Sequence, residues 1–267
     1  VWGSPKQSPI DALRKKAAEG KFFLYNDISR KYEENPEKYA PTGDDILAAK
    51  KAGVNKALFI ISRLEGEGGT EEMWRGLPAD PDSQPSPGEW YLSAAEKNML
   101  CLLAESFSQV IVVFNTGNLM DTCFVKYGLN GKQVVDAALC AWYGGHMGPE
   151  SLADVLTGDV NPSGKLVQTS ADIKYFPSTA EFGRNVYSHY TEDIFVGYRY
   201  FETFDPEYSR VNYEFGFGLS YTDFSISDIT YSADEDYITV TVGVTNIGKR
   251  SGKEVVQVYY SAPQMGS

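Results

Sequence analysis

The sequence predicts an α/β fold: a three-layer α/β/α sandwich with a mostly parallel sheet, followed by the opening strands of a smaller β-sandwich. Three observations carry this. The runs Ala57-Leu58-Phe59-Ile60-Ile61-Ser62 and Val110-Ile111-Val112-Val113-Phe114 are apolar on both faces, as strands covered by helices on both sides must be. Amphipathic helical patterns alternate with those runs. After Tyr221 the texture changes to β-branched and aromatic runs separated by turns.

In chain order, Ser8-Pro9-Ile10-Asp11 supplies a capping hydroxyl, a proline at the first helical position and an early acid. Ile10, Leu13 and Ala17 form an apolar stripe, and Gly20 closes the helix. Phe22-Phe23-Leu24-Tyr25 reads as a short strand. Thr42-Gly43-Asp44-Asp45 opens a second helix that runs through Ala52 and stops at Gly53. The strand Ala57–Ser62 follows. A helix is predicted near Tyr91–Phe107, where Leu92, Ala95, Met99 and Leu103 recur at helical spacing, and then the strand Val110–Phe114. Gly148-Pro149 starts a helix over Glu150–Leu156, and the glycines and proline of Gly158–Gly164 turn the chain into a strand at Lys165–Thr169. Beyond Tyr221, Phe224–Ile226, Tyr237–Val242 and Glu254–Tyr260 read as strands, fewer than the about seven of an immunoglobulin-like sandwich. No strand is visible before the helix at Ser8, whereas a doubly wound sheet normally starts with one. The expectation is therefore an internal segment of a longer polypeptide, in which residues 1–170 form the sandwich, 171–221 an irregular junction and 222–267 the start of the β-sandwich.

Composition narrows the function. The chain has 267 residues, is 42% hydrophobic and lacks an uninterrupted apolar stretch of membrane-spanning length, so a soluble chain is expected. A formal charge of −12 without a Lys/Arg stripe argues against nucleic acid and for neutral or cationic ligands. Cys101, Cys123 and Cys140 lie in apolar contexts and lack the spacing of a zinc or redox pair, so they read as small core residues. With only two histidines, His146 and His189, a Ser-His-Asp triad has little to build on. The terminus at Val1 is uninformative about localisation.

The chemistry-bearing stretch is Arg63-Leu64-Glu65-Gly66-Glu67-Gly68-Gly69, which puts carboxylates on a glycine-rich turn at a strand's end. That is where α/β sheets hold ligands, and the flanking glycines keep bulk away from Glu67. A long segment follows to Trp90, broken by Pro78, Pro81, Pro85 and Pro87, and segments of that length tend to be functional or disordered. Its Trp74 and Trp90 could stack on a sugar face, although anchoring their own loop is the commoner use. Tyr198 and Arg199 read as a packed ring and a surface-bridging cation.

Three stretches together resemble glycoside hydrolase family 3, the β-glucosidase and β-xylosidase family. Ile61-Ser62-Arg63-Leu64-Glu65-Gly66-Glu67-Gly68 looks like the family loop Ser-Gly-Glu-Gly-x-Asp-Arg. Ala141-Trp142-Tyr143-Gly144-Gly145-His146-Met147-Gly148 is the second, running on through Ala153 to Leu166, and this last part, with Gly158-Asp159-Val160-Asn161-Pro162-Ser163-Gly164, is the strongest single match. Val196-Gly197-Tyr198-Arg199-Tyr200-Phe201 and Phe215-Gly216-Phe217-Gly218-Leu219-Ser220-Tyr221-Thr222 look like the junction into the family's fibronectin-III-like domain. After Gly68 the chain departs from the pattern, with Gly69-Thr70-Glu71 where x-Asp-Arg is usual.

The resemblance implies retaining hydrolysis of a β-linked glucoside or oligosaccharide. Glu67 would be the general acid/base, with Glu65 as rival, and Trp74 and Trp90 would be substrate-binding candidates. The nucleophilic aspartate would belong to a TIM-barrel domain that a chain of this length cannot also contain. No cofactor and no metal are implied, because two carboxylates and water suffice. An uncovered barrel-docking face would favour homo-oligomers of the isolated segment. A β-xylosidase is the alternative within this chemistry, and a non-catalytic carbohydrate-binding or subunit-interaction module the alternative outside it.

Overall fold

The computed structural model describes residues 7–35, 38–63, 90–177 and 190–261. Helix α1, Pro9–Ala18, begins at a reciprocal capping box: the Ser8 hydroxyl accepts from the Asp11 backbone N–H, and the Asp11 carboxylate accepts from that of Ser8. Helix α2 spans Asp27–Glu34 and helix α3 Gly43–Lys51, the latter capped in the same way by Thr42 and Asp45. Strand β1, Lys56–Ser62, runs parallel to β2, Gln109–Asn115, and helix α4, Ala94–Ser106, connects them through a third capping box at Ser93 and Glu96. The short helix α5, Cys123–Tyr127, leads to strand β3, Ala137–Cys140, which pairs parallel to the other edge of β2.

The sheet order is β1-β2-β3, so β2 is central, and its side chains explain the apolar run. Alternate residues of a strand face opposite sides. Val110, Val112 and Phe114 join Ile46, Leu100, Leu103 and Phe124 in the principal core, while Val113 on the other face is also fully buried. Helix α6, Gly148–Thr157, ends at Gly158, whose left-handed φ of 77° is the glycine-favouring conformation expected of a helix stop. It packs against α1 through Ala12, Leu13 and Ala153, and Lys16 bridges Asp154 at 2.5 Å and Asp159 at 2.8 Å.

Farther on, β4, Ser170–Ala171, pairs antiparallel with β5, Val211–Tyr213, around helix α7, Tyr198–Phe204, and its buried Phe201. Strands β6, Phe224–Ala233, and β7, Ile238–Asn246, form an antiparallel hairpin with a bulge, where Asp228 takes a φ of 52°. No helix among the described residues is long and apolar enough to cross a membrane.

Three strand expectations fail. Phe22–Tyr25 is irregular: Phe22 and Leu24 plug the gap between α1 and α6 instead of pairing. Lys165–Thr169 is not a strand, because Leu166 exchanges backbone hydrogen bonds with Phe217 and Gly216 at a single point and pairing starts only at Ser170. Glu254–Tyr260 alternates like a strand yet takes no partner strand among the described residues. Helices α2, α5 and α7 and strand β3 arise where the sequence reading assigned none. Cys101 and Cys140 are half-buried against the principal core, whereas Cys123 departs from the core reading: its Sγ meets the polar Asn212 side chain.

Candidate active site

The parallel strands end together. Ser62 pairs with Asn115 at the last rung of β1 and β2, and the Asn115 side-chain amide donates to Ser62 Oγ at 3.2 Å. One residue later Arg63 turns its guanidinium onto Glu96 of α4, Nη1 to Oε1 at 2.8 Å and Nη2 to Oε2 at 2.9 Å, a two-pronged ion pair with both side chains largely buried. Glu96 Oε2 also accepts from the Ser93 backbone N–H at 2.8 Å. Burial pushes the Glu96 carboxyl up, and Arg63 with Ser93 outweighs that, so the group stays below the ordinary carboxylate range.

Beyond β3, Trp142 takes a φ of 52°, uncommon for a non-glycine residue, and Tyr143 donates its hydroxyl hydrogen bond to the Arg63 carbonyl at 2.5 Å. The carboxyl-terminal ends of β1 and β3 and the start of α4 therefore converge on Arg63.

Nearby lies a second polar group. The Trp90 carbonyl accepts from the Asp121 backbone N–H at 2.9 Å, and Tyr91 donates to Asp172 at 2.7 Å. Burial raises the Asp121 carboxyl and, with Asp172, the Tyr91 hydroxyl. Thr122, Ser170 and Asn212 complete a buried hydrogen-bonded set. Trp90 is half-buried, and its indole Nε1 is buried with no hydrogen-bond partner among the described residues.

Of the candidate site residues, Glu65, Glu67 and Trp74 lie outside the described residues, as does His189; only Trp90 is described. The sequence reading singled out no role for Arg63, Glu96 or Tyr143. The spacing Ser93-x-x-Glu96 was a legible helix-start signal, but the partner that occupies its carboxylate lies 33 positions earlier. Tyr198 packs as expected, its ring 5.0 Å from Phe215 and 5.7 Å from Tyr259. Among the described residues no group of three or more His, Cys, Asp or Glu is placed to hold a metal ion.

A parallel sheet with helical cover and polar groups gathered at its carboxyl-terminal edge defines the class of an α/β sandwich domain, a fold that holds ligands at that edge. The profile of the "Glycosyl hydrolase family 3 C-terminal domain" matches residues 2–221, and the chain belongs to that family. It is 43% identical over 248 residues to Beta-glucosidase A of Butyrivibrio fibrisolvens, covering 83% of this chain and 29% of that protein. A Beta-glucosidase of Ruminococcus albus is 38% identical over 224 residues, 84% of this chain and 22% of its own length. Among solved structures, a beta-glucosidase from Paenibacillus barengoltzii superimposes with a TM-score of 0.73 at 32% identity, over 90% of this chain and 26% of its own. Beta-glucosidase 3B from Thermotoga neapolitana, in complex with glucose, gives 0.72 at 31% identity over 97% of this chain and 36% of its own. The chain thus spans between about a fifth and about a third of the length of these relatives.

Proposed function

We propose that this chain is the sandwich part of a retaining β-glucosidase, that Glu67 is its general acid/base, and that a TIM-barrel domain of the same or another polypeptide supplies the nucleophilic aspartate. The observation that carries this is the family match together with relatives that are β-glucosidases. The end of β1 at the carboxyl-terminal edge of the sheet, with Arg63 directly after it, supports it. Residues 1–170 are read as the sandwich, 171–221 as its junction and 222–267 as the start of a fibronectin-III-like domain.

In this mechanism the aspartate attacks the anomeric carbon while the Glu67 carboxyl gives its proton to the glycosidic oxygen, and the C–O bond to the aglycone breaks. The resulting glycosyl ester is then attacked by water, whose proton passes to the Glu67 carboxylate as the aspartate leaves. The two carboxyl groups would stand ~5–5.5 Å apart, and Glu67 would need a raised pKa. Trp74 and Trp90 would stack on the sugar; Glu65 is the rival acid/base.

The test is Glu67→Gly beside Glu65→Gly, in the full polypeptide that carries this segment, assayed on p-nitrophenyl β-glucoside. Turnover should fall about 10²–10⁴-fold for Glu67→Gly alone, with azide restoring part of it by attacking the glycosyl ester. Unchanged turnover in Glu67→Gly, or the same loss and rescue in Glu65→Gly, overturns the assignment. A parent polypeptide inactive on both glucosides and xylosides would return the non-catalytic binding module to the front.

A further inference from the structure

We propose that Arg63, Glu96 and Tyr143 are positioning residues for the acid/base: together they fix the backbone from which the chain runs to Glu67. The proposal rests on the reading of Glu67 as acid/base. Its own support is geometric. Arg63 is gripped at both of its polar ends, the guanidinium by the Glu96 carboxylate in two bonds and the carbonyl by the Tyr143 hydroxyl. Each grip comes from a different element, Glu96 from the first turn of α4 and Tyr143 from the chain just past β3, so Arg63 cannot rotate without breaking contacts to both.

The same guanidinium reaches the other end of the segment. Arg63 Nη2 lies 3.5 Å from the Tyr91 carbonyl, while the Trp90 carbonyl and the Tyr91 hydroxyl are held by Asp121 and Asp172. The two roots of residues 64–89 are thereby tied to one side chain. A general acid works only within hydrogen-bond reach of the oxygen it protonates, and small misplacements from outside the reacting groups are costly. A planar fork with two parallel bonds fixes orientation as a single ammonium does not, which accounts for arginine at this position. If the network served stability alone, its loss would depress every substrate alike.

Leaving groups separate the two roles. The specificity constant kcat/KM reports the glycosylation step, in which a poor leaving group such as phenol needs the acid's proton and 2,4-dinitrophenol does not. In the full polypeptide, Arg63→Met and Tyr143→Phe should lower kcat/KM about tenfold or more on phenyl β-glucoside and less than about twofold on 2,4-dinitrophenyl β-glucoside, with Arg63→Lys between Arg63→Met and the parent. Tyr143→Phe removes one exposed hydroxyl and keeps the question answerable if Arg63→Met does not fold. Equal losses on the two substrates, or none, overturn the proposal. Glu67→Ala, assayed alongside, tells the two failures apart. If Glu67→Ala shows the leaving-group dependence and the Arg63 and Tyr143 variants do not, the positioning role alone is lost. If Glu67→Ala shows none, the acid/base reading falls and takes this one with it.

Discussion

Asp121 and Cys123 meet in one half-buried polar pocket: Asp121 Oδ1 accepts from the Cys123 backbone N–H at 2.9 Å, the Asp121 charge pushes the Cys123 thiol up, and the Cys123 N–H and thiol favour the Asp121 carboxylate without offsetting its burial. Burial is the larger cause for both, and the nearby Asp172 adds to it. Asp121 is therefore a carboxylate kept for its acceptor oxygen rather than for an ion pair.

Asp121→Asn should stabilise the protein at neutral pH. A carboxyl whose folded-state pKa is raised contributes stability below its ordinary pKa and loses it as pH rises through the raised value. Asparagine keeps the oxygen that Cys123 needs and never charges. The variant's melting temperature should exceed the parent's at about pH 7, with the gap closing at about pH 3. A gap independent of pH would contradict this account.

Two thiols should be unreactive in the folded state. Burial pushes Cys140 up to about 11, and burial with the Asp121 charge pushes Cys123 up to about 12, so almost no thiolate is present at neutral pH. Iodoacetamide labelling read by peptide mass should leave both unmodified in buffer and modify both in denaturant. Labelling of Cys123 or Cys140 at the rate of a free thiol would refute the prediction.

The cap on α3 should govern acid stability. Lys31, and then the backbone and hydroxyl of Thr42, hold the Asp45 carboxyl well below its usual range. A depressed carboxyl contributes stability above its ordinary pKa and loses it as pH falls, so the protein should soften below about pH 4. Thr42→Ala should cost about 1 kcal/mol in urea titration at neutral pH, with a shallower acid loss than the parent.

Gly128 ends α5 at φ 76° and ψ −169°, a conformation essentially reserved for glycine, and a Cβ there would stand 2.0 Å from the Lys132 carbonyl oxygen. Gly128→Ala should destabilise by about 1–3 kcal/mol from the backbone alone and more from the clash. Chemical denaturation measures it, and a neutral result would mean that the Leu129 to Lys132 turn is not formed as described.

The capped helices and the central strand were legible because their signals are local. Ser8, Thr42 and Ser93 each precede an acid by three residues, and Val110–Phe114 needs no neighbour to read as a buried strand. What failed was decided at a distance. Phe22-Phe23-Leu24-Tyr25 has strand composition but is spent on a gap between two helices. Glu254–Tyr260 has strand periodicity without a described partner. Ala137–Cys140 is short and weakly apolar, and β2 makes it a strand. At the site, the carboxylates after Arg63 were visible at once, whereas the pairing of Arg63 with Glu96 and Tyr143 depends on sheet order, which no local pattern encodes.

The end of α6 carries a consequence for synthesis. The Val155 carbonyl is taken by the Tyr221 hydroxyl at 3.0 Å, the Gly158 carbonyl by Arg250 at 2.8 Å, and Asn161 is bonded to Ser220 and Tyr221. A ribosome delivers those partners only after another sixty to ninety residues have left the exit tunnel, as the separations of 66 and 92 positions require. Until then the Val155 carbonyl has only the Gly158 N–H of its own helix end and the Gly158 carbonyl has only water, so this end of α6 is not closed before Arg250, beyond the hairpin at Phe224–Asn246, has emerged.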